Sequence, residues 1–477
     1  MENKRRISKT VDAKSDEFSS LADQIWEAAE TRFNLKKSAD VLCTCLSKEG
    51  FEITRGAADM DDAFVASFGS GGPVVGILAE YDALESLSQV ADLPQRKPNI
   101  SGGKGHGCGH HGLGAGAVAG AVGVKQILEE GSLPGTVKLF GCPAEESGYG
   151  KAFMARAGVF RDVDAVVTWH PGDAHSIWMS ESLAVYQLYF SFKGRAAHAA
   201  AVPEQGRSAL DAAELMNIGV NFLREHMISS ARIHYAFIDV GGQSANVVQP
   251  TAALYYFIRA PKRNQVQPLY ERVVKIAQGA ALMTETELEV KWDSACLNYL
   301  PNKALSKAMF LNAKCVLPIG FTDQETQYAQ QFCDTLDETS KQALLARTKM
   351  TYPKETVERI QEIASMPLND LPVTMMVSDQ AMPGSTDVGD VSWVAPTAQI
   401  SVACYPQGIP PHSWQLVATG KSSVFHKGIA AAGKILAMTA LDVFENPALL
   451  EEAKKEHKAT LGGEVYESPI PPEVKPH

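Results

Sequence analysis

Apolar and polar residues follow two different periods along this chain, and the change of period marks its parts. Between residues 15 and 30, Phe18, Leu21, Ile25, Trp26 and Ala29 recur at spacings of three and four, which predicts an amphipathic helix. A similar helix is expected near 36 to 48. The run Pro73 to Ala79 (PVVGILA) is short, apolar and β-branched, as in a strand buried on both faces, and it ends at Glu80-Tyr81-Asp82. After a loop rich in Pro, Gly and Lys comes a Gly/Ala-rich helical stretch from about 109 to 130, whose small residues suit close packing on a sheet. Three further apolar strands follow the same plan. Thr136 to Cys142 stops at Pro143-Ala144-Glu145-Glu146, Asp164 to Thr168 at Trp169-His170-Pro171, and Gln399 to Cys404 leads into the loop around His412.

Apolar strand, polar tip and helix in repeated order predict a mostly parallel α/β sheet flanked by helices, in which ligands gather beyond the carboxyl ends of the strands. From about 185 to 297 the texture changes to alternating strands (LAVYQLYFSF, LYYFIRA) with helices at 207 to 226 and 266 to 282, which reads as an inserted α+β domain. Residues 300 to 380 read as helical and polar, and the Pro-rich tail from Gly462 as peripheral. The expected division is a catalytic domain built from 1–184 and 298–477, interrupted by a lid or dimerisation domain at 185–297.

Length and composition narrow the class. A prior of roughly 150 residues per domain gives a chain of 477 residues two or three units, enough to enclose a cleft. Hydrophobic residues at 45% and charged residues at 21% fit a soluble globular protein. The net charge of −11, without long single-sign runs, disfavours nucleic acid or an anionic membrane as partner and leaves small molecules. The N-terminus has a basic patch but no apolar core of signal-peptide length, and no stretch reaches the ~18 apolar residues of a membrane span. A cytoplasmic protein is expected, with its eight cysteines as thiols rather than disulfides.

The candidate chemistry lies at the strand tips. Gly105 to Gly112 (GHGCGHHG) packs His106, Cys108, His110 and His111 among glycines, and a thiolate with imidazoles two residues apart suits a borderline-soft divalent metal. The segment also spells Gly107-x-Gly109-x-x-Gly112, formally a dinucleotide fingerprint, but a long loop separates it from the preceding strand. Glu145 and Glu146 leave a strand end in different directions, so one can ligate metal while the other handles protons. His170 in TWHP reads equally as a capped core histidine or a ligand. His412 follows two prolines that preset the chain direction, and by composition His426 is as plausible. His198 lies in the insert and suits an oxyanion or substrate contact better than a metal.

EYDAL (80 to 84), GKGHGCGHH (103 to 111), CPAEE (142 to 146), TWHP (168 to 171), GRAAHAA (194 to 200), GGQSANVVQP (241 to 250) and STDVGDVSW (385 to 393) together resemble the aminoacylase/carboxypeptidase family of di-metal amidohydrolases. The likeness spans nearly the whole chain in order. It implies two divalent ions, Mn²⁺ or Zn²⁺, on Cys108, His110, Glu146, His170 and His412, with Glu145 as general base. It further implies that His198, Asn246 and Arg259 contact the tetrahedral intermediate or the substrate carboxylate, often across a dimer. His111 departs from the family, which usually has Asp or Asn after the CGH triplet. The implied activity is hydrolysis of an amide beside a carboxylate. p-Aminobenzoyl-glutamate is the first expected substrate, with other N-acyl or N-aroyl amino acids and dipeptides second. The implied partner is an identical or a related chain, in which case a non-catalytic subunit is a further alternative.

Overall fold

The computed structural model describes residues 1–131, 133–377 and 381–477. Among the described residues twelve strands, numbered in chain order, form two sheets: β1 Glu52–Arg55, β2 Phe64–Ser70, β3 Val74–Glu80, β4 Gly135–Cys142, β5 Ala165–Gly172, β6 Ser176–Trp178, β7 Ala184–Lys193, β8 Arg232–Asp239, β9 Thr251–Ala260, β10 Glu287–Cys296, β11 Thr374–Met376 and β12 Thr397–Ala403. The larger sheet has the order β1-β2-β4-β3-β5-β12-β6-β11. Its centre, β4-β3-β5-β12, is parallel throughout, while β1, β2 and β6 join in antiparallel register. Glu80 at the end of β3 therefore lies level with Cys142 at the end of β4, and the tips of all four central strands open on one edge.

The expected mostly parallel α/β architecture follows from burial on both sides. Val75, Ile77, Leu78 and Ala79 of β3 are fully buried, because helices cover both faces. Helix His110–Leu128, rich in Gly and Ala, packs against β3, β4 and β5 and along helix Ser423–Glu445, so small side chains bring helix and sheet close. Helix Ser15–Ala28 buries Phe18, Leu21, Ala22 and Ile25, the apolar stripe of the expected amphipathic pattern. Glu2–Ala13 forms an additional helix where the sequence suggested only a basic patch; it buries Ile7 and Val11 and turns most of its polar residues outward.

The smaller sheet, β10-β7-β9-β8, is antiparallel throughout, with helices Ala209–Leu223 and Arg263–Thr284 packed on it. Its core merges with that of the larger sheet: Tyr186, Leu188 and Tyr256 share one buried cluster with Leu78, Phe140 and Phe153. At its free edge β8 exposes Tyr235, Phe237 and Ile238.

Between residues 300 and 377 lie helices Lys303–Val316, Asp323–Cys333, Glu338–Thr351 and Val357–Ala364, in line with the helical reading of 300 to 380, of which 378–380 lie outside the described residues. Two expectations are corrected. β5 does not stop at Thr168 but runs through His170 to Gly172, because β12 pairs with it to that point. The tail after Gly462 is not peripheral. Ile470 is buried, the Tyr466 hydroxyl donates to Asp390 at 2.9 Å, and Arg156 donates to the carbonyls of Pro471 and Val474 at 2.7 and 2.8 Å. Burial pushes the Asp390 carboxyl up to about 7, so it suits a hydroxyl partner. All eight cysteines are unpaired thiols, and no helix of the described residues is long and apolar enough to cross a membrane.

Candidate metal centre

The tips of β3, β4, β5 and β12 bring five of the expected ligand residues into one group. Cys108 precedes helix His110–Leu128, and Gly109 between them adopts φ 85°, a left-handed turn that lets residues 108 and 110 face the same side. Donor atoms of Cys108, His110 and His170 lie within 4.8 Å of one another, as do those of Cys108, Glu146 and His412. Cys108 Sγ is 3.5 Å from His170 Nε2, and His412 Nε2 is 3.3 Å from a Glu146 oxygen.

Four of the candidate ligands are held from behind, two by their rings and two by their backbone. His110 Nδ1 binds Asp82 at 2.9 Å, which turns Nε2 into the cluster, and His170 Nδ1 binds the Pro171 carbonyl at 2.8 Å with the same result. The other Asp82 oxygen accepts the Glu146 backbone N–H at 2.9 Å, so one buried carboxylate sets two of the five. His412 has φ 58° and donates its N–H to the Gly107 carbonyl at 2.7 Å; a side chain at residue 107 would press on the His412 backbone, which explains glycine there. The loop bearing His412 is clasped by the helical segment before it. Gln407 bonds the Pro367 and Ile363 carbonyls, Gly408 N–H donates to Asp173 at 3.0 Å, and Arg347 pairs with that same Asp173.

The residues fit a divalent metal. His110 Nε2 and Glu146 Oε1 are buried without any hydrogen-bond partner, a costly state that a cation would relieve. Charge points the same way: Glu80, Asp82, Glu145 and Glu146 gather around His110, and the Lys151 ammonium lies 2.7 Å from Glu80 and 2.6 Å from Asp387. Burial drives the Glu145 carboxyl well above its usual range, reinforced by Glu80, Asp387 and Glu146. Burial acts likewise on Glu146, but the His412 hydrogen bond and the His110 charge outweigh it and hold this carboxyl at about 2. The adjacent glutamates are thus electrostatically unlike, one proton-seeking and one ionised. Burial, with Glu146 beside it, also raises the Cys108 thiol well above its ordinary value.

Other residues stand apart. His106 and His111 point away from the donors, His106 to the Ile25 carbonyl at 3.0 Å and His111 to that of Gly420 at 2.8 Å, so the departure at His111 leaves the donor set itself untouched. His426 pairs with Asp23 and His175 with Asp370, outside the cluster. His198 and Asn246 lie exposed on neighbouring loops of the insert, and no hydrogen bond or ion pair among the described residues joins them to the five. His198 Nδ1 accepts the N–H groups of Ala200 and Ala201 at 3.2 and 3.1 Å, which leaves Nε2 as the ring's donor. Arg259 of β9 lies over the Phe257 ring and donates to Ser385 Oγ at 2.6 Å and His234 at 3.1 Å; among the described residues it has no carboxylate partner. Glu80, Asp82 and Asp387 carried a visible signal in EYDAL and STDVGDVSW, but Lys151 in the apolar run GKAFMAR carried none.

Comparison with known proteins agrees with this geometry. Residues 76–427 match the model of peptidase family M20/M25/M40. The chain is 44% identical over 473 residues to a p-aminobenzoyl-glutamate hydrolase subunit of Escherichia coli (strain K12), covering 99% of this chain and 98% of that protein. It is 28% identical to the Xaa-Arg dipeptidase of Mus musculus, over 96% of this chain and 93% of that one. The fold matches the crystal structure of an aminobenzoyl-glutamate utilization protein from Klebsiella pneumoniae with a TM-score of 0.62 at 18% identity, covering 92% of this chain and 99% of that chain. The chain belongs to peptidase family M20/M25/M40 and is a metal-dependent hydrolase of amide bonds.

Proposed function

We propose that this protein hydrolyses p-aminobenzoyl-glutamate to p-aminobenzoate and glutamate in the cytoplasm. The observation that carries the reading is the end-to-end likeness to the Escherichia coli hydrolase, joined to two overlapping groups of potential metal donors. Cys108, His110, Glu146, His170 and His412 would hold two divalent ions, Mn²⁺ or Zn²⁺, which when bound acidify water and polarise the scissile carbonyl. Glu145 takes the proton of the attacking water and returns it to the glutamate nitrogen as the C–N bond breaks. His198, a donor at Nε2, offsets the negative charge that grows on the carbonyl oxygen. Residues 1–184 and 298–477 form the catalytic domain and 185–297 the lid and dimerisation domain. The exposed Tyr235, Phe237 and Ile238 on edge strand β8 favour a partner chain there, a second copy or a related protein.

The likeness to a dipeptidase favours one second reading, hydrolysis of dipeptides or of other N-acyl and N-aroyl amino acids. A screen of p-aminobenzoyl-glutamate, N-acyl amino acids and dipeptides with added Mn²⁺ or Zn²⁺, read as amine release, decides between them. p-Aminobenzoyl-glutamate is expected to react fastest; dipeptide turnover without it would install the second reading.

Arg259, aided by the Asn246 amide, binds the substrate carboxylate. Its guanidinium is always charged and has only neutral partners among the described residues, so a ligand carboxylate is its natural complement. A charge-assisted contact of this kind makes Arg259→Ala about tenfold to a hundredfold weaker in kcat/KM. The loss should fall on substrates with a free carboxylate and spare their amidated analogues, with metal content unchanged. Equal losses on both would return Arg259 to a structural role.

A further inference from the structure

Trp178 stands beside the candidate metal centre, packed in part against the core yet left partly exposed, and the hydrolytic steps do not use it. It ends β6, whose Ser176 and Ile177 pair with Ser401 and Ile400 of β12, and β12 in turn pairs Ser401 with His170 of β5. Register pairs Ser401 with His170 on one side and Ser176 on the other, and Trp178, two residues along β6, reaches Ser401 through its side chain. The indole N–H donates to Ser401 Oγ at 2.8 Å, which fixes the ring, and the ring centroid lies 6.1 Å from that of His170 at an interplanar angle of 30°. Trp169, close by on β5, shows what a core tryptophan looks like here: it is fully buried, with its N–H donated to the Leu113 carbonyl. Trp178 is only half-buried. With its polar atom already bonded, what its exposed part still offers is rigid apolar aromatic surface next to His170.

That surface has a natural use. In an aroyl amino acid the aromatic ring is bonded directly to the scissile carbonyl carbon, so placing the carbonyl at the cluster places the ring against the cluster's wall. An acetyl group puts almost nothing there. We propose that Trp178 is the aryl platform of the site, stacking on the ring of an aroyl substrate and selecting it over small aliphatic acyl groups. This rests on the proposed hydrolysis of p-aminobenzoyl-glutamate and names the residue that recognises its acyl half.

The test compares p-aminobenzoyl-glutamate with N-acetyl-glutamate, which share the leaving amino acid and differ only in the acyl group. In Trp178→Leu, which keeps apolar bulk but loses the π face, the ratio of kcat/KM for the aroyl over the acetyl substrate should fall about tenfold. Trp178→Phe should keep most of it. Calorimetric binding of p-aminobenzoate should weaken by a similar factor in the Leu variant, while metal content stays constant. Equal losses on both substrates, or an unchanged ratio with unchanged p-aminobenzoate binding, overturn the assignment. A wild-type protein that turns over N-acetyl-glutamate but not p-aminobenzoyl-glutamate overturns instead the substrate reading beneath it.

Discussion

Glu145→Gln should keep its metal and lose about 10²- to 10⁴-fold in kcat, the span usual for a lost general acid/base. Gln has the size and hydrogen-bonding reach of Glu but cannot carry the proton. Glu145 is held in a setting that favours its protonated form, through burial first and then through Glu80, Asp387 and Glu146. Glu146→Gln should behave in the opposite way. Its carboxylate lies 3.3 Å from His412 and within the Cys108–His412 donor group, so the substitution should lower metal content first and activity in consequence. Elemental analysis beside kcat separates the two. Metal loss in Glu145→Gln, with retention in Glu146→Gln, would mean that the roles are exchanged.

Exhaustive chelation should abolish turnover, and a divalent ion should restore it. Full activity in the metal-free protein would refute the proposed chemistry. The pH dependence of metal uptake has a defined sign. Burial and the nearby Glu146 raise the Cys108 thiol well above its ordinary value, so near neutrality the free protein holds this sulfur protonated. Ligation requires the thiolate, and binding must therefore expel a proton. Affinity is expected to rise with pH and to fall as pH drops. Calorimetry in buffers of different ionisation enthalpy should register the released proton, and Cys108→Ala should remove that component together with much of the affinity. Proton release that is unchanged in Cys108→Ala would assign it to another ligand.

How much was legible beforehand depended on whether the signal was local. The parallel sheet could be read because β3, β4, β5 and β12 are each short apolar runs with polar tips, a pattern carried by a few adjacent residues. Glu145, Glu146 and the Cys108–His110 pair declared themselves in the same way. Residues that act by meeting distant partners did not. Lys151 looks like one basic residue in an apolar helix until the fold brings Glu80 and Asp387 to its ammonium. Asp82 was visible in EYDAL, but only the folded chain gives one of its oxygens to His110 and the other to the Glu146 backbone. The tail misled for a related reason: a Pro-rich composition reports backbone character, whereas its anchoring depends on Tyr466 and Ile470 finding a pocket elsewhere. The span of β5 was underestimated because its last residues are held by β12, which is remote in sequence.

The clasp on the His412 loop bears on the order in which the protein is built. Cys108, His110, Glu146 and His170 are all synthesised in the first half of the chain: Cys108 and His110 at the start of helix His110–Leu128, Glu146 just after β4 and His170 on β5. His412 comes late, and its loop is held in place by Ile363, Pro367 and the Arg347–Asp173 pair, which belong to the helical segment just before it and to the end of β5. A nascent chain therefore carries Cys108, His110 and His170 well before His412. Both halves of the centre nonetheless wait for the last third of the polypeptide: His170 lies in the part of β5 that β12 holds, and the His412 loop follows β12 itself.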